Sequence, residues 1–387
     1  MKRVNSIFAI ILFMMAGCGS SKSGNENDTF IKVNVRAGYP KKELILQDFM
    51  DVEFIPLETS REFLCQGRVL AIGKDIIIVK NNVGDGDIFI FDRNGKGLRK
   101  FNCLGGGPGE YTFILGIVLD EDNGEILVND HSIRKILVYD LYGKFKRSFN
   151  HKEEAEYDEI YNYDRENLIC KDGSYRAYME NVQSFVIISK QDGSITKEIQ
   201  IPFEQKKSTI MMQTIDQGVI ATGIRHFPII PHHDSWILTD PSSDTIFIFS
   251  DYSLTPFMTR TPSVQSMNPE IFLFPETVTE HYYFMKTVKK EFDFTKSEGF
   301  PETHLLYDRQ EKKIYECTLY NDDFLTKKSV EITQRPINNK IAFWQKIEAD
   351  DLFEAYGKGQ LEGKLKEIAA GMKEEDNPVI MLVKHKR

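Results

Sequence analysis

Three features of this 387-residue sequence predict an all-β fold: short apolar runs recur at near-constant spacing, glycine-bearing turns follow them, and no amphipathic helix of length appears between about residues 50 and 320. The runs are Ile88-Phe89-Ile90-Phe91, Ile136-Leu137-Val138-Tyr139, Phe185-Val186-Ile187-Ile188, Ile246-Phe247-Ile248-Phe249 and His304-Leu305-Leu306-Tyr307. The residues just after them, Asp92, Asp140, Lys190, Ser250 and Asp308, lie 48, 50, 60 and 58 residues apart. Such a period belongs to propellers or solenoids.

The turns agree. Asp92-Arg93-Asn94-Gly95-Lys96, Asp140-Leu141-Tyr142-Gly143-Lys144 and Gln191-Asp192-Gly193-Ser194 place Asn, Asp and Gly where a hairpin requires positive φ. Returning strands follow at 98–101, 145–149 and 195–201. Each run is apolar at consecutive positions, and consecutive strand residues point to opposite faces, so both faces of each sheet must be covered. A parallel sheet between helices would cover them, but tight hairpins demand antiparallel neighbours and the helices are missing. Antiparallel sheets stacked face to face and closed radially satisfy both demands, which is a β-propeller.

Five repeats leave one blade to fill. The apolar 377–384 stretch supplies a sixth, and a strand over 30–35 is expected to pair with it and close the ring. The 370 residues from Cys18 onward then give about 62 per blade. The expected fold is a six-bladed β-propeller of four-stranded antiparallel blades over 29–387. Leu361, Leu365, Ile368 and Met372 recur at helical spacing before Pro378, predicting a short helical insertion at about 346–374, lying over the propeller or, in the sharper reading, docking a partner.

The first residues read as an address. Lys2 and Arg3 precede a nine-residue apolar run from Ile7 to Met15, too short to span a bilayer, then Ala16 and Gly17. Residues 1–17 are therefore expected to be a signal peptide and the Ser/Gly/Asn-rich 18–28 a flexible tether. Met15-Ala16-Gly17-Cys18 resembles a bacterial lipobox, which implies cleavage before Cys18, acylation of that cysteine and a membrane partner reached through lipid. Gly19 after the cysteine implies, by the same resemblance, the outer membrane. Four further cysteines, Cys65, Cys103, Cys170 and Cys317, form no Cys-x-x-Cys pair and read as buried thiols, with disulfides the alternative. Lys plus Arg is 49 against 58 Asp plus Glu, a net charge of −9, which argues against nucleic acid as a partner.

Gly105-Gly106-Gly107-Pro108-Gly109-Glu110-Tyr111, Gly116-Ile117-Val118-Leu119-Asp120 and Ile126-Leu127-Val128-Asn129-Asp130 resemble, in order and spacing, the six-bladed β-propeller lipoproteins of gut-type Gram-negative bacteria. The 130–140 segment is similar to an NHL repeat, and Phe54-Ile55-Pro56-Leu57-Glu58-Thr59, Ser243-Asp244-Thr245-Ile246-Phe247 and Asn377-Pro378 match as well. The resemblance implies fold and export, and no settled activity.

Candidate site residues are few. The Gly105 stretch lacks the pattern of a phosphate cradle and suits a tight crossing between blades, with Glu110 and Tyr111 at its exit as candidate ligand contacts facing the channel. His131, flanked by Asp130 and Arg134, is a third candidate; the resemblance implies that the flanking pair ties a strand end to its turn. His226, His232, His233 and Asp234 fall within nine residues and could hold a divalent cation, although two prolines make the segment a loop. Scattered tyrosines and phenylalanines could stack on sugars or simply fill blade cores. No catalytic set can be assigned from spacing. The expected function is an exported, lipid-anchored module that binds or scaffolds a small ligand, glycan or envelope protein. The alternative is a propeller enzyme, a lyase or hydrolase acting on a glycan, lactone or peptide, with or without a divalent cation.

Overall fold

The computed structural model describes residues 30–386 apart from 82–83, 175, 177–181 and 217. The predicted signal peptide, the tether and Cys18 lie outside the described residues. Six antiparallel sheets surround a channel. From the channel outward, blade 1 holds Arg68–Ile72, Ile76–Lys80, Asp87–Asp92 and Gly97–Asn102. Blade 2 holds Ile114–Asp120, Glu125–Asp130, Lys135–Asp140 and Phe145–Asn150. Blade 3 holds Tyr157–Asn162, Asn167–Asp172, Phe185–Ser189 and Ile195–Ile199. Blade 4 holds Ile229–His232, Ser235–Leu238, Thr245–Ser250 and Ser253–Thr261. Blade 5 holds Ile271–Val278, Tyr282–Lys289, Glu302–Asp308 and Lys313–Tyr320. Blade 6 joins Ile341–Ile347 and Val379–His385 to Met50–Pro56. The predicted six-bladed propeller is the observed fold.

The consecutive apolar runs do what their pattern requires. In blade 1, Ile78, Ile88 and Ile90 pack toward blade 2 against Ile117, Val128 and Tyr139. Their neighbours Ile77, Val79, Phe89 and Phe91 pack the other way, against Trp344, Ile380 and Leu382 of blade 6. Further shared clusters join blades 2 and 3, 3 and 4, 4 and 5, and 5 and 6, so the ring closes in chain order. Truncating such a core residue to alanine costs about 2–5 kcal/mol.

The aspartates among the marker residues are turn caps. Asp92 Oδ1 accepts from the backbone N–H groups of Asn94 (2.8 Å) and Lys96 (2.9 Å), and Asp140 repeats the pattern with Tyr142 and Lys144. These bonds hold the Asp140 carboxyl below the usual carboxylate range. Gly95 has φ +84° and a Cβ there would meet the Pro56 carbonyl oxygen at 2.0 Å, so glycine lets blade 1 touch blade 6.

Ring closure differs from expectation in one respect. The expected 30–35 strand forms as Ile31–Asn34, but it pairs in parallel with the outer strand of blade 4. Lys41–Ile45 pairs likewise with the outer strand of blade 5, and only Met50–Pro56 reaches blade 6. The N-terminal segment is thus a belt over three successive blades. Met50–Pro56 hides in the sequence because Asp51 and Glu53 interrupt its apolar residues, as suits an outer strand wetted on one side. The expected insertion is present between the two C-terminal strands as two helices, Ala349–Gly357 and Gly363–Ala369. Leu352, Leu361, Leu365 and Ala369 bury against Leu46, Met50, Leu319 and Phe324 at the seam of blades 5 and 6.

Candidate functional site in the axial channel

The inner strands enclose a cavity of about 800 Å³. Its walls are apolar where the strands run side by side, at Leu70–Ile72, 117–119 and Ile160. Its mouth lies at the strands' C-terminal ends, where Lys74, Glu121, Asp122, Asn162, Asp234 and Lys340 gather.

Blade 6 supplies something other than a regular inner strand. Asn338 Nδ2 donates to the Ile72 carbonyl (3.1 Å) at the end of the blade 1 inner strand, whereas Gly67, just before that strand, abuts Lys346. Ile341–Ile347 therefore runs opposite to the blade 1 inner strand and occupies a second-strand position. The innermost place is taken by the irregular segment 331–340. From it Arg335 crosses the channel to blade 3, directly across the ring, and donates through Nη1 to Glu159 Oε2. Its guanidinium lies 4.8 Å from the Tyr161 ring centroid, and the Tyr161 hydroxyl donates to the Pro336 carbonyl (3.0 Å). Gly116 of blade 2 leaves room beside it: a Cβ there would stand 3.9 Å from Arg335 Nη2.

Both charged side chains keep about a quarter of their surface open to channel water, 24 % and 22 %, yet protein surrounds them. Burial raises the Glu159 pKa, and Arg335 only partly offsets it. Burial works against the Arg335 charge, but Glu159 and Tyr161 outweigh it and its pKa is raised. The crossing spans the channel below the mouth, and the space above it is called the cup.

An aromatic ledge stands on the blade 3 and blade 4 side of the mouth. Tyr163 stacks on Trp236 with centroids 6.1 Å apart and planes at 27°. Trp236 also meets Tyr161 at 5.7 Å, and the exposed Tyr252 extends the ledge, 6.2 Å from Tyr163. Opposite, both carboxylate oxygens of Glu121 accept from the Lys74 backbone N–H (2.8 and 3.0 Å).

The residues singled out in the sequence are dispersed. Tyr111 does not face the channel; it is fully buried between blades, donating to the Gly86 carbonyl (2.6 Å) and accepting from Cys103 N (2.9 Å). Glu110 folds back on its own glycine loop and accepts from Gly107 N (2.7 Å). His131 lies at the opposite end of blade 2 from the cup, 3.7 Å from Glu156, to which Arg134 also binds. Asp130 and Arg134 do not pair: Asp130 is buried and accepts from Thr112, Phe113, Ser132 and Ile133 backbone N–H groups.

The four candidate metal ligands do not converge. His226 lies three residues before the four-residue blade 4 inner strand and His232 ends it, so the strand stands between them. His226 stacks on Phe274 at 4.3 Å, and burial holds its pKa down at about 4. Burial, with His233 adjoining, does the same for His232. His233 and Asp234 belong to the cup mouth. Among the described residues no three His, Cys, Asp or Glu side chains could hold a metal ion. Cys65, Cys103, Cys170 and Cys317 are free thiols, and burial raises the Cys65 pKa to about 11 and the Cys317 pKa to about 12.

The missed residues share a cause. Arg335 and Pro336 sit in an irregular segment without periodicity, and Trp236 is a single aromatic that meets Tyr163, one of the scattered tyrosines that the sequence offers for stacking, only across two blades.

Sheets, ring and cup define a six-bladed β-propeller with an axial cavity crossed by Arg335. The chain belongs to the family described as Domain of unknown function (DUF4934), whose profile matches residues 30–384. Its fold is similar to that of a Bacteroides fragilis NCTC 9343 protein whose export is inferred, with a TM-score of 0.59 and 15 % identity over 93 % of this chain and all of that one. A member of the DUF4221 family from Bacteroides vulgatus ATCC 8482 aligns with a TM-score of 0.48 and 11 % identity over 88 % of this chain and 98 % of that one. No curated protein matches the chain. Among the described residues no helix is long and apolar enough to cross a membrane.

Proposed function

We propose that the protein is an exported, lipid-anchored binding module whose axial cup takes a glycan-like ligand. The observation that carries this reading is the half-buried Tyr163–Trp236 ledge beside carboxylate and amide side chains at the mouth of the axial cavity. A sugar offers an apolar face to stack on aromatic rings and hydroxyls to donate to Glu121, Asp122 and Asp234. The Arg335–Glu159 crossing spans the axis below the mouth. The lipobox-like Met15-Ala16-Gly17-Cys18 and the fold shared with a protein of inferred export support the address.

The chain has two tryptophans, and Trp344 is buried between blades 1 and 6, so stacking on Trp236 is readable by fluorescence. Full-length protein, purified in detergent, is screened on a glycan array and titrated with the oligosaccharides it retains. A saturable change in emission that Trp236→Phe abolishes supports the reading. An empty array, or retention unaffected by Trp236→Ala, rejects it. For the anchor, Cys18→Ser should move the protein from the membrane to the soluble fraction, and an unchanged distribution rejects that part.

A further inference from the structure

Between the outer strand of blade 3 and the inner strand of blade 4, Ile210–Ile215 and Gly218–Gly223 form an antiparallel hairpin that pairs with no other strand among the described residues. None of its twelve strand residues is fully buried, and none joins a core cluster. Its apolar side chains face water: Met212, Ile215, Val219 and Ile220 are exposed, Val219 to 62 %. Opposite residues share a face, so Met212, Val219 and Ala221 line one side and Ile215 and Ile220 the other. An isolated two-stranded hairpin is marginal in water, and its bare edges are a template for a further strand.

Charge identifies the occupant. Asp216, at the tip, is the one charged residue within 210–223, and the exposed Arg225 follows two residues after Gly223, at the root. Six strand residues set tip and root about 20 Å apart. When two copies lie antiparallel, edge to edge, each tip carboxylate comes beside the other copy's root guanidinium. Gly218–Gly223 is the freer edge, because Ile210 and Met211 on its neighbour are half-buried. Lipid hydrocarbon would suit the side chains but would leave the edge N–H and C=O groups without partners.

We propose that Gly218–Gly223 pairs antiparallel with the same strand of a second copy of this chain, about a two-fold axis at Ile220, so that a four-stranded sheet joins two propellers. Such an axis stands perpendicular to the sheet and keeps each face on its own side, so Val219 of each copy packs beside Ala221 of the other. The two Asp216–Arg225 contacts frame the pairing and fix its direction. The interface shares no residue with the glycan cup, so each reading stands or falls alone.

The test uses full-length protein. Ile220→Cys sets a thiol on the two-fold axis, and oxidation in whole cells should give a cross-linked dimer on a non-reducing gel. Tyr142→Cys, at an exposed turn of blade 2, should give none. Light scattering of the purified wild type should show a dimer that dissociates on dilution. Val219→Lys, at an exposed position, should melt near wild type and be monomeric. Asp216→Arg and Arg225→Asp should each weaken dimerisation about ten-fold, and combining them should restore it. A wild type that stays monomeric, equal cross-linking from positions 220 and 142, or a dimer that survives Val219→Lys would overturn the proposal. A monomer whose flotation with phosphatidylcholine vesicles falls in Val219→Lys would assign the hairpin to lipid instead.

Discussion

Lys190 Nζ lies 2.6 Å from Asp120 Oδ2, with the two side chains 4 % and 0 % exposed. The pair joins a turn of blade 3 to the inner strand of blade 2. It is reinforced by the Asp164 carbonyl, which accepts from the same ammonium (2.6 Å), and by Arg147, which donates to the Lys190 carbonyl (2.9 Å) while clasping Glu125. Removing one partner strands a charge in the interior. Lys190→Met or Asp120→Asn should each cost about 3–5 kcal/mol, read as a lower urea midpoint. The double variant Lys190→Met/Asp120→Leu should cost less than the sum, because no unpaired charge remains.

Asn377 performs the corresponding task where the ring closes. Its side chain is buried, accepts from Cys65 N (2.9 Å) and donates to the Glu58 carbonyl (2.7 Å) and the Phe63 carbonyl, while its backbone N–H reaches Thr59 Oγ1 (2.8 Å). It pins the loop from blade 6 to blade 1 onto the last strand. Asn377→Ala should destabilise by about 2–4 kcal/mol, since three buried backbone groups lose partners at about 1 kcal/mol or more each. Asn377→Asp should be no better, as it keeps the acceptor and loses both donors. Thermal melts of the two variants check this, and a wild-type Tm for either would contradict the role.

What the sequence made legible were the elements whose pattern is local. Ile88 to Phe91 reads as a strand covered on both faces because neighbouring residues must point oppositely, and the clusters on either side of blade 1 show that both faces are covered. Asp92 and Asp140 mark turns because their carboxylates cap the turn they begin. The cup was not legible. Tyr163 and Trp236 meet only because blades 3 and 4 adjoin, and Arg335 finds Glu159 across the full ring. His226 and His232 look clustered in sequence, yet an extended strand sets them apart.

Acid should destabilise the fold through buried histidines. His151 Nδ1 accepts from Tyr157 N (3.2 Å), so the neutral ring carries its proton on Nε2, which donates to Asn129 Oδ1 (2.9 Å). Burial, with His131 nearby, lowers its pKa to about 4. Above pH of about 6.5 both folded and unfolded forms are neutral and the group adds no pH dependence. Between about 6.5 and 4 only the unfolded chain takes the proton, so stability falls as pH falls, by up to about 3 kcal/mol. His226 and His232 act in the same direction. His304, raised by its bond to Glu276, opposes them, its contribution fading as pH rises through its folded value. Urea midpoints measured across this range should drop on acidification, and less steeply in His151→Gln.

The Arg335 crossing spans the axis between blades 6 and 3, and its removal should be a local event. The six blades are held by clusters between neighbours, none of which contains Arg335, whereas the 331–340 segment is tied to blade 3 by Arg335, by the Tyr161 bond to Pro336 and to blade 1 by Asn338. Arg335→Ala leaves Glu159 without its counter-charge and frees one of these three ties. Because channel water reaches both side chains, the loss should be modest, about 1–3 kcal/mol, and smaller than at Lys190. Hydrogen exchange should quicken at 331–340 while the blade strands keep their protection. Glu159→Gln, which keeps the shape and an acceptor, should loosen the segment less. Unchanged exchange at 331–340 in Arg335→Ala would mean that the remaining ties alone hold the segment.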